Sequence, residues 1–412
     1  MQALMFDFKM WKVILKKIHL GSSFLLTKYS RAWKVPEISH PTQIRVKSLL
    51  GGICTSDLHQ IDLNVSLYES ILASPQNPFP LGHEVVGVID EIGKEVTSFS
   101  LGDRVVYTPI ASCNSYGLPL CPSCQNNNPQ ACLCIAGNSM DHEISLPYRK
   151  THSFGGFGGG GFSEFFLGFQ EQMFKIPQII PDEHAVLVEP LAVAIHAVLD
   201  SPPQRSDTAV VIGAGIIGLM IILVLKHFFP KVAIISLARY AFQAEKARLM
   251  GASHVIQERD LSKRKKQIAN ITQGTIFKPT LSPAVLYGEK GPDMIYDCVA
   301  SEKTVNESLS MIKHHGTIVF IGMGFTVTKH IDWSLQIHKE IIIRGAFVHG
   351  IEAFQNETKP AFEWAIDLLS LYTQKFTGLV THFYKIADYK KAIAVARTKG
   401  KNQAIKVVFD FR

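Results

Sequence analysis

Thr208-Ala209-Val210-Val211-Ile212-Gly213-Ala214-Gly215-Ile216-Ile217-Gly218 is the stretch that decides the fold. Thr208 to Ile212 reads as a buried strand. A Gly-x-Gly-x-x-Gly turn follows at once and opens an apolar helix, and a second strand reads at Val232 to Ser236. Strand, fingerprint, helix and strand in that order make a Rossmann unit. Its glycines let the backbone approach a pyrophosphate, and the helix N-terminus favours the phosphate charge. Gly213, Gly215 and Gly218 are therefore candidate cofactor-binding residues. The uncharged run from Thr208 to Leu225 also reaches the lower length limit of a membrane span. Its turn-spaced glycines assign it to strand-turn-helix instead. A second formal match, Gly156-x-Gly158-x-x-Gly161, has no apolar strand before it and no helix start after it, and reads as a hairpin.

Working outward, a helix reads at Ala241 to Met250, ending at Gly251-Ala252. Further strands read at Met294 to Tyr296, at Thr317 to Ile321 ending in Gly322, and at Ile341 to Arg344. Alternating strands and helices imply an α/β fold with a doubly wound parallel sheet. The connection 261–292 carries Lys263-Arg264-Lys265-Lys266, read as a solvated helix face. The strand after the fingerprint runs into Ile235-Ser236-Leu237-Ala238-Arg239-Tyr240. An NAD site places Asp or Glu about 20 residues beyond the fingerprint. Here Ser236 or Ala238 takes that position, and Arg239 follows with a guanidinium suited to a 2′-phosphate. The expected cofactor is NADP or NAD, with NADP preferred.

The N-terminal half carries a different chemistry. Gly82-His83-Glu84-Val85-Val86-Gly87 sets an imidazole beside a carboxylate ahead of a strand-like run. Upstream, Gly52-Ile53-Cys54-Thr55-Ser56-Asp57-Leu58-His59 offers a thiolate. Downstream, Val188-Glu189-Pro190-Leu191 offers a second carboxylate. Cys54, His83 and one or both of Glu84 and Glu189 make a candidate catalytic zinc site with a position open for substrate. Either carboxylate is a direct ligand or acts through a water. Four more cysteines, Cys113, Cys121, Cys124 and Cys132, are spaced to close a tetrahedral, structural zinc site. Two zinc ions per chain are expected.

The 412 residues suit about two domains. A net charge of +7 without a basic stripe fits anionic small ligands and not nucleic acid. Clustered cysteines indicate metal chemistry in a reducing, cytoplasmic setting. Asp7, Lys9, Lys12, Lys16 and Lys17 interrupt any secretory signal, and no membrane partner is expected. Residues 74–80 read as a loop.

Gly-His-Glu-x-x-Gly-x-x-x-x-x-Gly-x-x-Val at Gly82 to Val96 resembles the signature of the zinc-containing alcohol dehydrogenases, within the medium-chain dehydrogenase superfamily. Gly-x-Cys-x-x-Asp-x-His at Gly52 to His59 resembles that family's first-ligand segment. Glu189 in Glu-Pro-Leu is similar to the polyol, threonine and glucose dehydrogenase branch, where the liver-type enzymes have a second Cys. The resemblance implies a GroES-like β-rich catalytic domain, residues 1–189 plus 349–412, with a Rossmann domain, 190–348, inserted and chemistry between them. It implies that Ser56 meets the substrate oxygen and starts a proton relay, that His59 helps finish it, and that Asp57 orients His83. It places Lys406 on the cofactor pyrophosphate and Gly322 in the dinucleotide site. The family's structural-zinc lobe maps to residues 113–134. The family has two residues between its first two cysteines and this chain has seven, so Cys134 is an alternative ligand to Cys113. The implied reaction is reversible oxidation of a secondary alcohol, polyol or amino alcohol to a carbonyl, in a homodimer or homotetramer. A zinc-free NADPH-dependent reductase of the superfamily and a non-enzymatic dinucleotide-binding protein are the alternatives. Cys54 together with the cysteine lobe argues against the first, and the presence of Cys54, His83 and Glu189 against the second.

Overall fold

The computed structural model describes residues 1–7, 9–18, 20, 22–64, 79–116, 119–126, 160–322 and 328–412. Cys132, Cys134, Gly156, Gly158 and residues 74–78 of the expected loop lie outside them. The chain divides into two compact units, Met1–Glu189 with Phe362–Arg412, and Pro190–Ala361.

In the first unit the long strand Gln43–Gly52 organises a seven-stranded sheet. It pairs antiparallel with Glu84–Ile92, with Phe165–Phe169 and with the C-terminal strand Lys406–Asp410. Its apolar positions alternate into a core of Ile44, Val46, Val85, Ile89, Val105 and Phe166, as expected of a half-buried strand. A second core gathers Leu4, Leu58, Phe162, Ile393 and Phe409 beneath the helix Thr55–Asp62. Two register pairs matter for the site. Gly52 lies opposite Glu84 on one side and opposite Val408 on the other.

In the second unit six parallel strands run in the order His254–Ile256, Ala233–Leu237, Thr208–Ile212, Met294–Asp297, Thr317–Phe320, Ile342–Gly345. By chain position this is 3-2-1-4-5-6, the doubly wound dinucleotide-binding order. Ala209 to Ile212 and Ile234 to Leu237 are buried without alternation, because helices cover both faces of a parallel sheet. The uncharged run resolves into the strand Thr208–Ile212 and the helix Ile216–Phe228. No helix among the described residues is long and apolar enough to cross a membrane.

Two readings change. The second unit extends to Ala361, beyond the expected return at His349. The reason is a hairpin, Ile351–Phe354 with Glu357–Pro360, held in that unit. His196 Nδ1 lies 2.7 Å from Glu352 Oε1, and Phe354 packs edge-on against Phe228. The basic run is not wholly solvated either. It lies in the helix Leu261–Thr272, where Lys265 is 2% exposed and donates to Ala284 O at 2.6 Å. Arg264 pairs with buried Glu307, leaving Lys263 and Lys266 in solvent.

Candidate active site

Cys54 and His83 are far apart in sequence and meet through strand register. Gly52 and Glu84 are cross-strand partners, so the residues just past one strand end and just before the other converge. Gly52 is required there, because a Cβ would overlap the Glu84 carboxylate. The donor atoms of Cys54, His83 and Glu84 lie within 4.8 Å of one another. Zinc bond lengths of about 2.0–2.3 Å set ligands roughly 3.3–3.8 Å apart around a tetrahedral ion, so this set is within reach of one.

Asp57 ties the two ligand segments together. Its Oδ2 accepts from Cys54 N at 2.9 Å, and its Oδ1 accepts from Gly82 N at 3.2 Å. The first bond also caps the helix Thr55–Asp62, the ordinary structural use of such a residue. His83 Nδ1 stands 3.8 Å from Asp57 Oδ1, an ion-pair distance and not a hydrogen bond. Asp57 therefore acts on His83 through the backbone and through charge.

The electrostatics favour a cation. Burial alone would drive His83 neutral, yet Asp57 and Cys54 offset it and hold the imidazole well above its ordinary pKa. Burial pushes the Glu189 carboxyl up to about 7, with Glu84 and Asp57 adding to it against the pull of His83 and Lys406. Glu189 starts the helix Val188–Asp200 and is 6% exposed. A half-buried thiol and imidazole with the buried Glu84 carboxyl, and Glu189 close enough to act on them by charge, fit a zinc ion by donor chemistry.

Lys406 has a partner that its expected role did not include. Its ammonium is buried and lies against both Glu84 oxygens, Oε1 at 2.6 Å, and reaches Ile53 O at 3.4 Å. Burial opposes its charge, and Glu84 and Cys54 more than offset this, so its pKa is raised. The C-terminal strand delivers it there, since Val408 pairs with Gly52 and Ile53 N donates to Val407 O. With its ammonium engaged by Glu84, Lys406 joins the cluster around the candidate metal residues. Sequence reasoning missed this pair because no local pattern links residues 322 positions apart. It also missed Lys399, which reaches Thr55 Oγ1 at 3.4 Å. Breaking a buried ion pair by removing one partner costs about 3–5 kcal/mol. Lys406→Met should lose stability on that scale in chemical denaturation of metal-free protein, and an unchanged midpoint would refute the buried pair.

Ser56 and His59 sit three residues apart on the helix Thr55–Asp62, so their side chains share a face. Burial holds His59 below its ordinary pKa, with Asp62 opposing. Asn64 Nδ2 lies 3.3 Å from His59 Nδ1.

In the second cluster the sulfurs of Cys113, Cys121 and Cys124 lie within 4.8 Å of one another. Cys113 is fully buried and its N–H points at Cys124 Sγ, 3.4 Å away. The long first interval therefore still brings Cys113 to the group, and a 3-10 turn at Asn114–Tyr116 begins that interval.

The fingerprint glycines divide the labour. Gly213 has φ +93, the left-handed region that favours glycine. A Cβ at Gly218 would overlap Gly213 O, whereas one at Gly215 meets nothing within 4 Å. Gly215→Ala should therefore leave the melting temperature unchanged and weaken dinucleotide binding, because it fills the space a phosphate approaches. Gly218→Ala should lower stability by about 1–3 kcal/mol. Equal melting temperatures for the two variants would contradict this division. Gly322 packs on the Cys298–Val299 backbone, where a Cβ has no room.

Ser236 is corrected. It is 0% exposed inside the strand Ala233–Leu237, and its hydroxyl has no hydrogen-bond partner. The residue just past the strand end is Ala238, followed by exposed Arg239, whose guanidinium lies 5.5 Å from the Tyr240 ring centroid.

Comparisons with known proteins find relatives that match both halves of the chain. Residues 40–178 match the model of the alcohol dehydrogenase GroES-like domain, and residues 217–367 that of the zinc-binding dehydrogenase. The chain is similar to D-xylulose reductase of Saccharomyces cerevisiae, 26% identical over 360 residues, covering 87% of this chain and 88% of that protein. It is also similar to (R,R)-butanediol dehydrogenase of the same yeast, 29% identical over 391 residues, covering 87% and 91%. In fold it is similar to a short chain alcohol dehydrogenase of Escherichia coli CFT073 complexed with NADH, with a TM-score of 0.70, 24% identity, and coverage of 100% and 99%. The chain belongs to the zinc-containing alcohol dehydrogenases of the medium-chain dehydrogenase superfamily, polyol dehydrogenase-like in kind, and is an oxidoreductase acting on an alcohol.

Proposed function

We propose that the chain reversibly oxidises a secondary alcohol, polyol or amino alcohol to the carbonyl, with NADP(H) as the preferred hydride carrier. The catalytic zinc is assigned to Cys54, His83 and one of Glu84 and Glu189. A second zinc is assigned to Cys113, Cys121, Cys124 and Cys132. The protein is read as a cytoplasmic homodimer or homotetramer. The observation that carries the proposal is the convergence of Cys54, His83 and Glu84 through the register of Gly52 and Glu84.

When bound, zinc supplies Lewis acidity that eases loss of a proton from an alcohol near neutral pH. The residues of the chain do the rest. Cys54 and His83 hold the ion, and Asp57 fixes both of their backbone segments. Ser56 Oγ takes the substrate hydroxyl's proton and hands it along the helix face to His59. His59 is the next acceptor, its pKa held below the ordinary value by burial. A bound nicotinamide cofactor would supply the hydride acceptor. The fingerprint glycines take the pyrophosphate, and a relative of the same fold complexed with NADH supports a carrier of this kind. The yeast relatives are named for xylulose and butanediol, which supports a polyol or diol substrate.

The absence of an acid after the strand Ala233–Leu237 and the exposed Arg239 support NADP. A charge-assisted contact is worth about 1.5–3 kcal/mol, so the preference should be tenfold to several-hundredfold for roughly one or two contacts. Dissociation constants for NADPH and NADH test it. Arg239→Ala should weaken only NADPH, and equal weakening of both would refute the assignment. A screen of polyols, amino alcohols and secondary alcohols with both cofactors tests the reaction. Stoichiometric zinc with no turnover on any of them would favour the non-enzymatic alternative.

A further inference from the structure

The excursion between the strands Ala3–Phe6 and Thr27–Ser30 contributes to neither site, and it precedes both family matches. Its helix, Met10–Lys17, makes about two turns. One side of that helix is tied down. Val13 packs on the core of the first unit, Lys12 pairs with Asp7 at 2.8 Å, and Lys16 pairs with Asp62 at 3.6 Å. The other side is open. Trp11, Ile14 and Ile18, spaced i, i+3 and i+7, fall on one helical face and are 55%, 54% and 55% exposed. Leu20 follows at 59%. Large apolar side chains grouped outward in this way mark an interaction surface.

The sequence of this segment is strongly basic. From Phe8 to Pro36 the sequence holds Lys9, Lys12, Lys16, Lys17, Lys28, Arg31 and Lys34, and no acid. Lys9, Lys17, Lys28 and Arg31 are exposed and have no ion-pair partner among the described residues. Beside the strand Thr27–Ser30 lies a surface hollow of about 610 Å³, whose lining includes Lys28, Tyr29, Lys390, and Lys391 paired with Asp388.

We propose that this face docks the protein on an anionic lipid bilayer surface. Trp11, Ile14, Ile18 and Leu20 enter the boundary between headgroups and acyl chains, while Lys9, Lys17, Lys28 and Arg31 meet the lipid phosphates. An apolar face flanked by unpaired cations is the pattern of a helix lying in the interface plane. Charge decides against a second copy as occupant, because a symmetric contact would bring the same unpaired cations together. The expectation of no membrane partner rested on the absence of a span or signal, and a surface helix needs neither.

Co-sedimentation of the full chain with vesicles tests the proposal. The protein should pellet at low salt with vesicles of phosphatidylglycerol and phosphatidylcholine, and be released as salt rises. Vesicles of phosphatidylcholine alone should leave it in the supernatant. The double variant Trp11→Ser/Ile14→Ser should partition at least about tenfold more weakly, from the apolar area removed. Lys9→Ala/Lys17→Ala should lose about fivefold per residue. Alcohol oxidation in vesicle-free buffer should be unchanged in both. The proposal is overturned if the parent stays in solution with anionic vesicles, or if the Trp11/Ile14 variant pellets like the parent. It is also overturned if, without vesicles, that variant breaks an oligomer the parent forms, which would assign the face to a second copy.

Discussion

Replacing His83 by Ala should lower alcohol oxidation by roughly a thousandfold or more, because metal assistance contributes several kcal/mol and each 1.36 kcal/mol is about tenfold in rate. Cys54→Ala should do the same. The two residues offer unlike donor atoms to one site and are held by one carboxylate, Asp57. Dinucleotide affinity should stay near the parent value in both variants, since the fingerprint glycines belong to the Pro190–Ala361 unit and the metal residues to the other. That separation makes the result specific, because a general folding defect would lower both readouts. His59→Ala should cost about a hundredfold, as general acid–base help is partly replaced by solvent. Activity within tenfold of the parent in His83→Ala or Cys54→Ala would remove the zinc mechanism.

Cys113→Ser should destabilise the protein strongly while sparing the chemistry. Structural zinc supplies about 10 kcal/mol or more of folding free energy in small peptides. In a larger protein only part of this appears as global stability. A loss of several kcal/mol still lowers the melting temperature by roughly 10 °C, at about 2–4 °C per kcal/mol. Cys121→Ser and Cys124→Ser should match it, because the three sulfurs form one group. Cys134→Ser is the control and should melt like the parent. Turnover of the folded fraction at room temperature should stay within about threefold of the parent, since the group contains none of the residues assigned to catalysis. A Cys113→Ser variant with the parent's melting curve, or a Cys134→Ser variant that loses zinc, would reassign the site.

The Rossmann unit was legible because its signal is local. Strand, glycines, helix and second strand follow one another, and each glycine does a different steric job within one turn. Parallel strands joined by right-handed crossovers leave few alternative orders. The candidate metal residues were legible as donor types, but their meeting was not, because nothing local to Cys54 announces that it meets His83. Strand register brings them together, and register is a property of the assembled sheet. The same limit hid the pairing of Lys406 with Glu84. Ser236 was misplaced for a related reason. Two residues along a strand separate a hydroxyl sealed in the sheet from the position at its end, and the sequence bears no mark of where the strand stops. Lys265 illustrates a helical version. In a run of four cations the 100° step turns one side chain inward, where a carbonyl receives it.

Zinc per chain, measured by elemental analysis of the purified parent, Cys54→Ala and Cys121→Ser, tests the central claim most directly, because it needs no substrate. Two ions in the parent and one in each variant are predicted, each variant emptying its own site. One zinc or none in the parent, or two retained in Cys54→Ala, would contradict the account.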